Sequence, residues 1–293
     1  SERGAVEVIV AAHDEPLPAV ADVLLHRALG PTAPDGDTVG ALPLAPIEER
    51  AARADEVARA DGARMVVAVN TVADDRGVGA VVLQLGAGCH RVMVLATGGA
   101  TASGSGVDAE VRHRGEQTPI VLDRSHAPDA RLDFCIGESE GIELRYLGAG
   151  ASADITIQVA FWPLPPGLPE GWGAKLAGGL AWALHRRRLP ALVDPPEQLF
   201  LGEAGATAIP LTVEKGSCYV AALGFVRGEP VAARLSATGS QRMVHDDGSQ
   251  EPHTAAVSFC ADADEVMEMG VEVRARSAWW LMSLWRVTPL EAP

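Results

Sequence analysis

Residues 137–141, Gly-Glu-Ser-Glu-Gly, spell G-x-S-x-G, the pattern in which a strained strand-to-helix turn exposes a nucleophilic serine. In that role Ser139 needs a helix leaving the turn, with donors for an oxyanion. The chain instead continues as "IELRYLG", whose alternation of apolar and polar residues predicts a strand. Glu138 and Glu140 flank the serine with negative charge, which opposes a developing oxyanion. The pentapeptide reads as a turn between strands, and no catalytic residue is assigned. A hydrolase assembled from dispersed Ser, His and Asp residues is the enzymatic alternative. Residues 148–153, "GAGASA", match a dinucleotide-binding fingerprint by letter but lead into the strand-like "DITIQVAF" where a helix would be required.

Other residue types offer metal and thiol chemistry. The acidic stretches "DDRG" (74–77) and "HDDGS" (245–249) supply hard oxygen ligands of the kind Ca2+ takes, with Asp246 and Asp247 as the candidate ligands. Neither has the staggered ligands of an EF-hand loop, so solvated turns are the expectation, and no other cofactor is expected. The eight histidines include no H-E-x-x-H pair. Cys89, Cys135, Cys218 and Cys260 are the four cysteines, and none lies in a C-x-x-C pair of the zinc or redox kind.

The cysteines instead mark an internal duplication. Each copy carries a small-residue turn, a first cysteine (Cys89, Cys218), a centre rich in Asp and Gly, a Phe-Cys pair (Phe134-Cys135, Phe259-Cys260) and a closing strand ending in Trp (Trp162, Trp285). The two cysteines of a copy stand 46 and 42 positions apart. Ordered landmarks at similar spacing predict one disulfide per copy, stapling the two sheets of a sandwich. Free buried thiols and reactive or metal-binding thiols are the alternatives. A disulfide persists only in an oxidising compartment.

The elements that must position these residues are mostly strands. "HRVMVLA", "AEVRH", "IELRYL" and "DITIQVAF" carry alternating or clustered β-branched residues bounded by Gly, Ser, Asp or Pro. Short strands with frequent turns predict a mainly β chain of two duplicated antiparallel β-sandwich (jelly-roll-like) domains with short linker helices. The expected boundaries are an N-terminal strand and helical linker region over 1–78, the first sandwich over 79–163, a helical linker over 164–204 and the second sandwich over 205–288. In the linker, Trp172, Leu176, Leu180 and Leu184 recur every four residues on one helix face, although Gly178-Gly179 weakens that helix. "DEPLPAVADVLLHRALG" and the alanine-faced "IEERAARADEVARADG" predict two helices ahead of the first copy.

The closing strands differ on their outer faces. Thr156, Gln158 and Ala160 precede Trp162 in one, whereas Trp279, Leu281 and Ser283 precede Trp285 in the other. Trp279, Leu281 and Trp285 thus form an apolar stripe that needs cover, from the linker helix or the first copy or from a protein or carbohydrate partner. Residues 7–10, with Pro-Leu-Pro after them, occupy the place that residues 156–161 occupy before their own Pro-Leu-Pro. This N-terminal strand either packs locally or self-associates by strand exchange.

With 24 Lys and Arg against 39 Asp and Glu, the chain carries a formal charge of −15. That charge opposes binding to nucleic acid or anionic lipid. No run reaches the roughly 20 apolar residues of a membrane span, so no transmembrane segment is expected.

The order of turn, Cys, strand, Asp-Gly-rich centre, Phe-Cys and closing strand resembles β-sandwich modules of exported bacterial proteins, and is similar in plan to cysteine-bridged, tandem relatives of the prepeptidase C-terminal family. The core signature of that family is represented by residues 107–111, "VDAEV". The resemblance implies a secreted, periplasmic or cell-surface protein with accessory or binding behaviour, and it carries no catalytic residue onto this chain. The expected function is noncatalytic binding, adhesion or structural support outside the cytoplasm. A filament or surface-assembly subunit is an alternative.

Overall fold

A computed structural model describes residues 44–97, 106–125, 127–189, 192–248 and 253–287. The strand at residues 7–10 and the first predicted helix lie outside the described residues. Within them the chain forms helix α1 (Ile47–Ala60), eight strands, helix α2 (Ala174–Arg186) and eight further strands.

The first eight strands are β1 (Met65–Val72), β2 (Gly79–Leu85), β3 (Gly88–Ala96), β4 (Asp108–His113), β5 (Pro119–Asp123), β6 (Ala130–Ile136), β7 (Glu140–Leu147) and β8 (Asp154–Pro163). They pair as two antiparallel sheets, β1-β8-β3-β6 and β2-β7-β4-β5. The second eight are β9 (Gln198–Glu203), β10 (Gly205–Val213), β11 (Cys218–Gly228), β12 (Ala232–Thr238), β13 (Met243–Asp246), β14 (Ala255–Cys260), β15 (Glu265–Arg274) and β16 (Ala278–Val287). Their sheets, β9-β16-β11-β14 and β10-β15-β12-β13, repeat the first order strand for strand. Each set of eight is an antiparallel jelly roll, so the duplication extends from cysteine spacing to topology.

Alternation explains the cores. Along β8, Ile157 and Val159 face inward and join Val92, Val94, Leu132, Ile142 and Leu144 in the first sandwich. Along β16, Trp280, Met282 and Leu284 face inward with Leu223, Leu235, Met269 and Val271 in the second. A third apolar layer lies on the outer faces of the cysteine-bearing sheets, where α2 and its flanking loops bring together Trp162, Leu168, Leu176, Leu180, Leu184, Leu281 and Trp285.

The two glycines that cost α2 intrinsic stability allow this layer to close. A Cβ on Gly178 would stand 3.0 Å from the Gly137 nitrogen, and one on Gly179 would stand 3.1 Å from Thr254 Cγ2. Gly178 thus faces the first sandwich and Gly179 the second. Tertiary packing offsets the propensity cost of about 1 kcal/mol per glycine.

Both disulfides are present, Cys89–Cys135 and Cys218–Cys260. They do not join the two sheets of a sandwich. Cys89 lies directly opposite Cys135 on the adjacent strands β3 and β6, and Cys218 opposite Cys260 on β11 and β14. Each bridge therefore staples two neighbouring strands within one sheet. Strands β1 and β9, which precede residues 79 and 205, pair with β8 and β16 and complete the cysteine-bearing sheets.

Register also corrects the alignment of the closing tryptophans. Trp162 lies opposite Cys89, whereas the residue opposite Cys218 is Val287; Trp285 matches Ala160. The displacement is two residues, which preserves the face.

Candidate functional site

Ser139 lies in the turn from β6 to β7, two strands of different sheets, and no helix leaves it. Its Oγ accepts a hydrogen bond from the Ala87 amide at 3.3 Å. The neighbouring Glu140 binds His113 Nδ1 at 2.7 Å. The tightest part of the motif is Gly137, where a Cβ would come within 1.9 Å of the Ala174 carbonyl oxygen at the start of α2. Gly137→Ala is expected to cost about 1–3 kcal/mol through forced separation of helix and sheet, while Ser139→Ala stays within about 0.5 kcal/mol of wild type. Urea unfolding of the two variants checks this ordering.

Asp246, one of the two candidate calcium ligands, is paired with cationic side chains of the chain itself. Its carboxylate is 3% exposed and holds both Arg186 and Arg187 from the end of α2, and it accepts the Ala256 amide at 2.9 Å. Burial opposes ionisation of Asp246, but Arg187, the Ala256 amide and Arg186 outweigh it and hold the carboxyl below the usual range. Asp247 is exposed and pairs with Arg234 at 3.3 Å. In the other acidic stretch, Asp74 accepts the amides of Val78 and Arg76 at 2.8 and 2.9 Å, which lowers its pKa and closes its own turn. Among the described residues, no group of three or more His, Cys, Asp or Glu side chains could hold a metal ion.

A second polar cluster, unmarked in the sequence, joins α1, the first sandwich and α2. Arg91 reaches Asp133 at 2.8 Å and Asp61 at 3.1 Å, and lies over the Trp162 ring. Burial works against the Arg91 charge, yet the two carboxylates raise its pKa above the ordinary value. The Trp162 indole donates to the Asp61 carbonyl at 3.0 Å, and His185 packs on its ring. Burial pushes the pKa of His185 down. These contacts are spent on joining elements, and strand periodicity carries no sign of them because the five residues come from five separate segments.

The predicted apolar stripe divides. Leu281 and Trp285 are buried in the layer beside α2, and the Trp285 indole donates to the Gly167 carbonyl at 3.0 Å. Linker residues and α2 cover them, so neither contributes to a free surface. Trp279 remains exposed. On the adjacent strand, Leu199 lies opposite Ser283 and Leu201 opposite Leu281, which places both leucines on the same outer face as Trp279. These three are between 43% and 51% exposed. The matching positions in the first sandwich are Ala68, Asn70 and Asp154, with Asn70 accepting a hydrogen bond from Thr156 at 3.1 Å. Leu199 and Leu201 escape the sequence reading because residues 164–204 read there as a helical linker, whereas 198–203 form a strand.

No protein-family profile matches the chain, and no curated protein does. Solved structures give weak likenesses. The exported protein XepA of PBSX aligns over 76% of this chain and 87% of its own at 9% identity, with a TM-score of 0.25. The turret protein A223 of Sulfolobus turreted icosahedral virus aligns over 75% and 97% at 9% identity, with a TM-score of 0.20. A Clostridium perfringens ZmpB structure containing the M60 catalytic domain and two CBM51 domains aligns over 76% and 34% at 11% identity, with a TM-score of 0.22. Likenesses at this level carry no argument about function.

Proposed function

We propose that this chain is a noncatalytic exported module that binds a protein partner through the outer face of its second sandwich. The carrying observation is the difference between the two copies. Leu199, Leu201 and Trp279 are apolar and exposed where Ala68, Asn70 and Asp154 occupy the same sheet positions, so the jelly roll itself does not require the patch. An exposed Trp flanked by leucines resembles the core of a protein interface, where aromatic residues are enriched and charge is depleted. A carbohydrate platform would also need polar donors beside the ring. The disulfides support an oxidising compartment, and among the described residues no helix is long and apolar enough to cross a membrane.

A photo-crosslinker placed at position 279 of the exported protein tests the reading. It should yield a discrete protein adduct that excess unlabelled wild type suppresses. Leu199→Asp/Leu201→Asp protein should compete at least about thirtyfold less well, the loss of roughly 2 kcal/mol expected for interface anchors. Both leucines are half-exposed, so this variant should unfold close to wild type. Equal competition by the two proteins would remove the proposal.

A further inference from the structure

The first strands of the two copies differ along their free edges. Strand β1 is the outer strand of its sheet and, among the described strands, pairs only with β8. Its sequence, Met-Val-Val-Ala-Val-Asn-Thr-Val, contains no charge and no proline, the features with which natural outer strands discourage pairing with another strand. Strand β5 contacts β6 across the sandwich, so β1 and β2 stand together at its other side. Strand β2, Gly-Ala-Val-Val-Leu-Gln-Leu, is likewise without charge or proline. In the second sandwich the equivalent strands carry both guards: β9 ends in Glu203, at the sheet position of Val72, and β10 contains Pro210. The fold therefore does not require an unguarded edge.

Register fixes which main-chain groups of β1 are turned outward. The Ala73 amide donates to the Ala153 carbonyl at 2.9 Å, in direct continuation of the pairing of β1 with β8. Opposed residues of an antiparallel pair alternate between exchanging both hydrogen bonds and exchanging none. Thr71, Val69 and Val67 therefore bond to β8, while the N–H and C=O groups of Val66, Ala68, Asn70 and Val72 point away from it. Beside them Met65, Val67 and Val69 are 39–50% exposed and Val72 is 57% exposed. The edge offers main-chain donors and acceptors flanked by apolar side chains.

We propose that β1 pairs antiparallel with β1 of a second copy about a two-fold axis, joining two four-stranded sheets into one. A single register engages all four outward residues: Val66 lies opposite Val72 and Ala68 opposite Asn70 of the second copy, with Val69 facing its own counterpart and Val67 facing Thr71. Opposed residues are an even number of positions apart, so the core side of one sheet continues into the core side of the other. No pair in this register opposes like charges, although each copy carries a formal charge of −15. An isologous contact needs a surface complementary to itself, and β1 meets that condition along its whole length. The contact does not depend on the docking face of the second sandwich.

Sedimentation of the full chain over a range of concentrations tests this. Wild type should convert from monomer to dimer. The amides of Val66, Ala68, Asn70 and Val72, resolved individually, should exchange at least about tenfold more slowly in the dimer than after dilution. Ala68→Lys/Asn70→Lys sets lysine opposite lysine in the proposed register and should weaken the dimer at least about tenfold. Both positions are exposed, so the monomer of this variant should unfold in urea as wild type does. Ala68→Lys/Asn70→Glu instead sets each lysine opposite a glutamate and should restore association. A chain that stays monomeric up to about 0.1 mM would overturn the proposal. So would a dimer that tolerates the paired lysines, a loss that the lysine–glutamate variant does not repair, or slow exchange of the four amides that persists in the monomer.

Discussion

Asp246→Asn is expected to lower the unfolding free energy by about 3–5 kcal/mol, because one partner of a buried ion cluster is removed while Arg186 and Arg187 stay in place. The carboxylate closes β13 onto the end of α2 and also caps the Ala256 amide at the edge of the bridged sheet. Asparagine retains the size but cannot neutralise two guanidinium groups. The cost should depend on pH. The folded-state pKa of Asp246 lies below its unfolded value of about 3.9. Its contribution is therefore fully present above the unfolded pKa and is lost as pH falls through the lower folded value. Chemical unfolding of both proteins should show the full gap at pH 7 and a narrowing gap below about pH 4. A gap that stays constant into acid would show that the charge of Asp246 is not what holds the helix.

Removing one disulfide should cost almost as much. For loops of 46 and 42 positions, chain entropy gives about 4 kcal/mol each, and measured losses fall between about 2 and 5 kcal/mol. Cys89→Ala/Cys135→Ala and Cys218→Ala/Cys260→Ala test the bridges separately by thermal and urea unfolding. The two bridges differ in access. Cys89 is enclosed in the apolar layer beside α2, whereas Cys260 is exposed. A small thiol reductant should therefore open Cys218–Cys260 first, since exchange requires attack on a reachable sulfur. Peptide mapping without reductant should recover Cys89 with Cys135 and Cys218 with Cys260; mapping after brief reduction should show the second bridge lost first. Loss of Cys89–Cys135 first would contradict the enclosure assigned to it.

The apolar patch lies on β9 and the start of β16. The first strand of each copy, β9 or β1, differs in sequence while its place in the sheet is identical. A jelly roll requires a strand at that position but tolerates variation on its outer surface and along its free edge, because neither is enclosed by the core. The copies could therefore diverge there without loss of the fold. Positions where divergence was not tolerated behave differently: Phe134 and Phe259 each precede the second cysteine, face inward and are buried.

Much of this architecture could be read from residue order alone. The Phe-Cys landmarks and the period-2 strands determined the duplication and the β class and pointed to one disulfide per copy, because these signals are local or repeat along the chain; the structure supplied the pairing itself. Only the tertiary structure decided the rest. Adjacency in the order β1-β8-β3-β6 joins strands far apart in sequence, so Cys89 and Cys135 proved to be neighbours in one sheet instead of links between two. The same long-range placement buried Leu281 and Trp285 under the linker while leaving Trp279 exposed beside two unforeseen leucines. It also made Asp246 the anchor for two arginines. Strand periodicity specifies which face a side chain takes, but what covers that face depends on segments distant in the chain, and here that cover separates the enclosed residues from those left exposed.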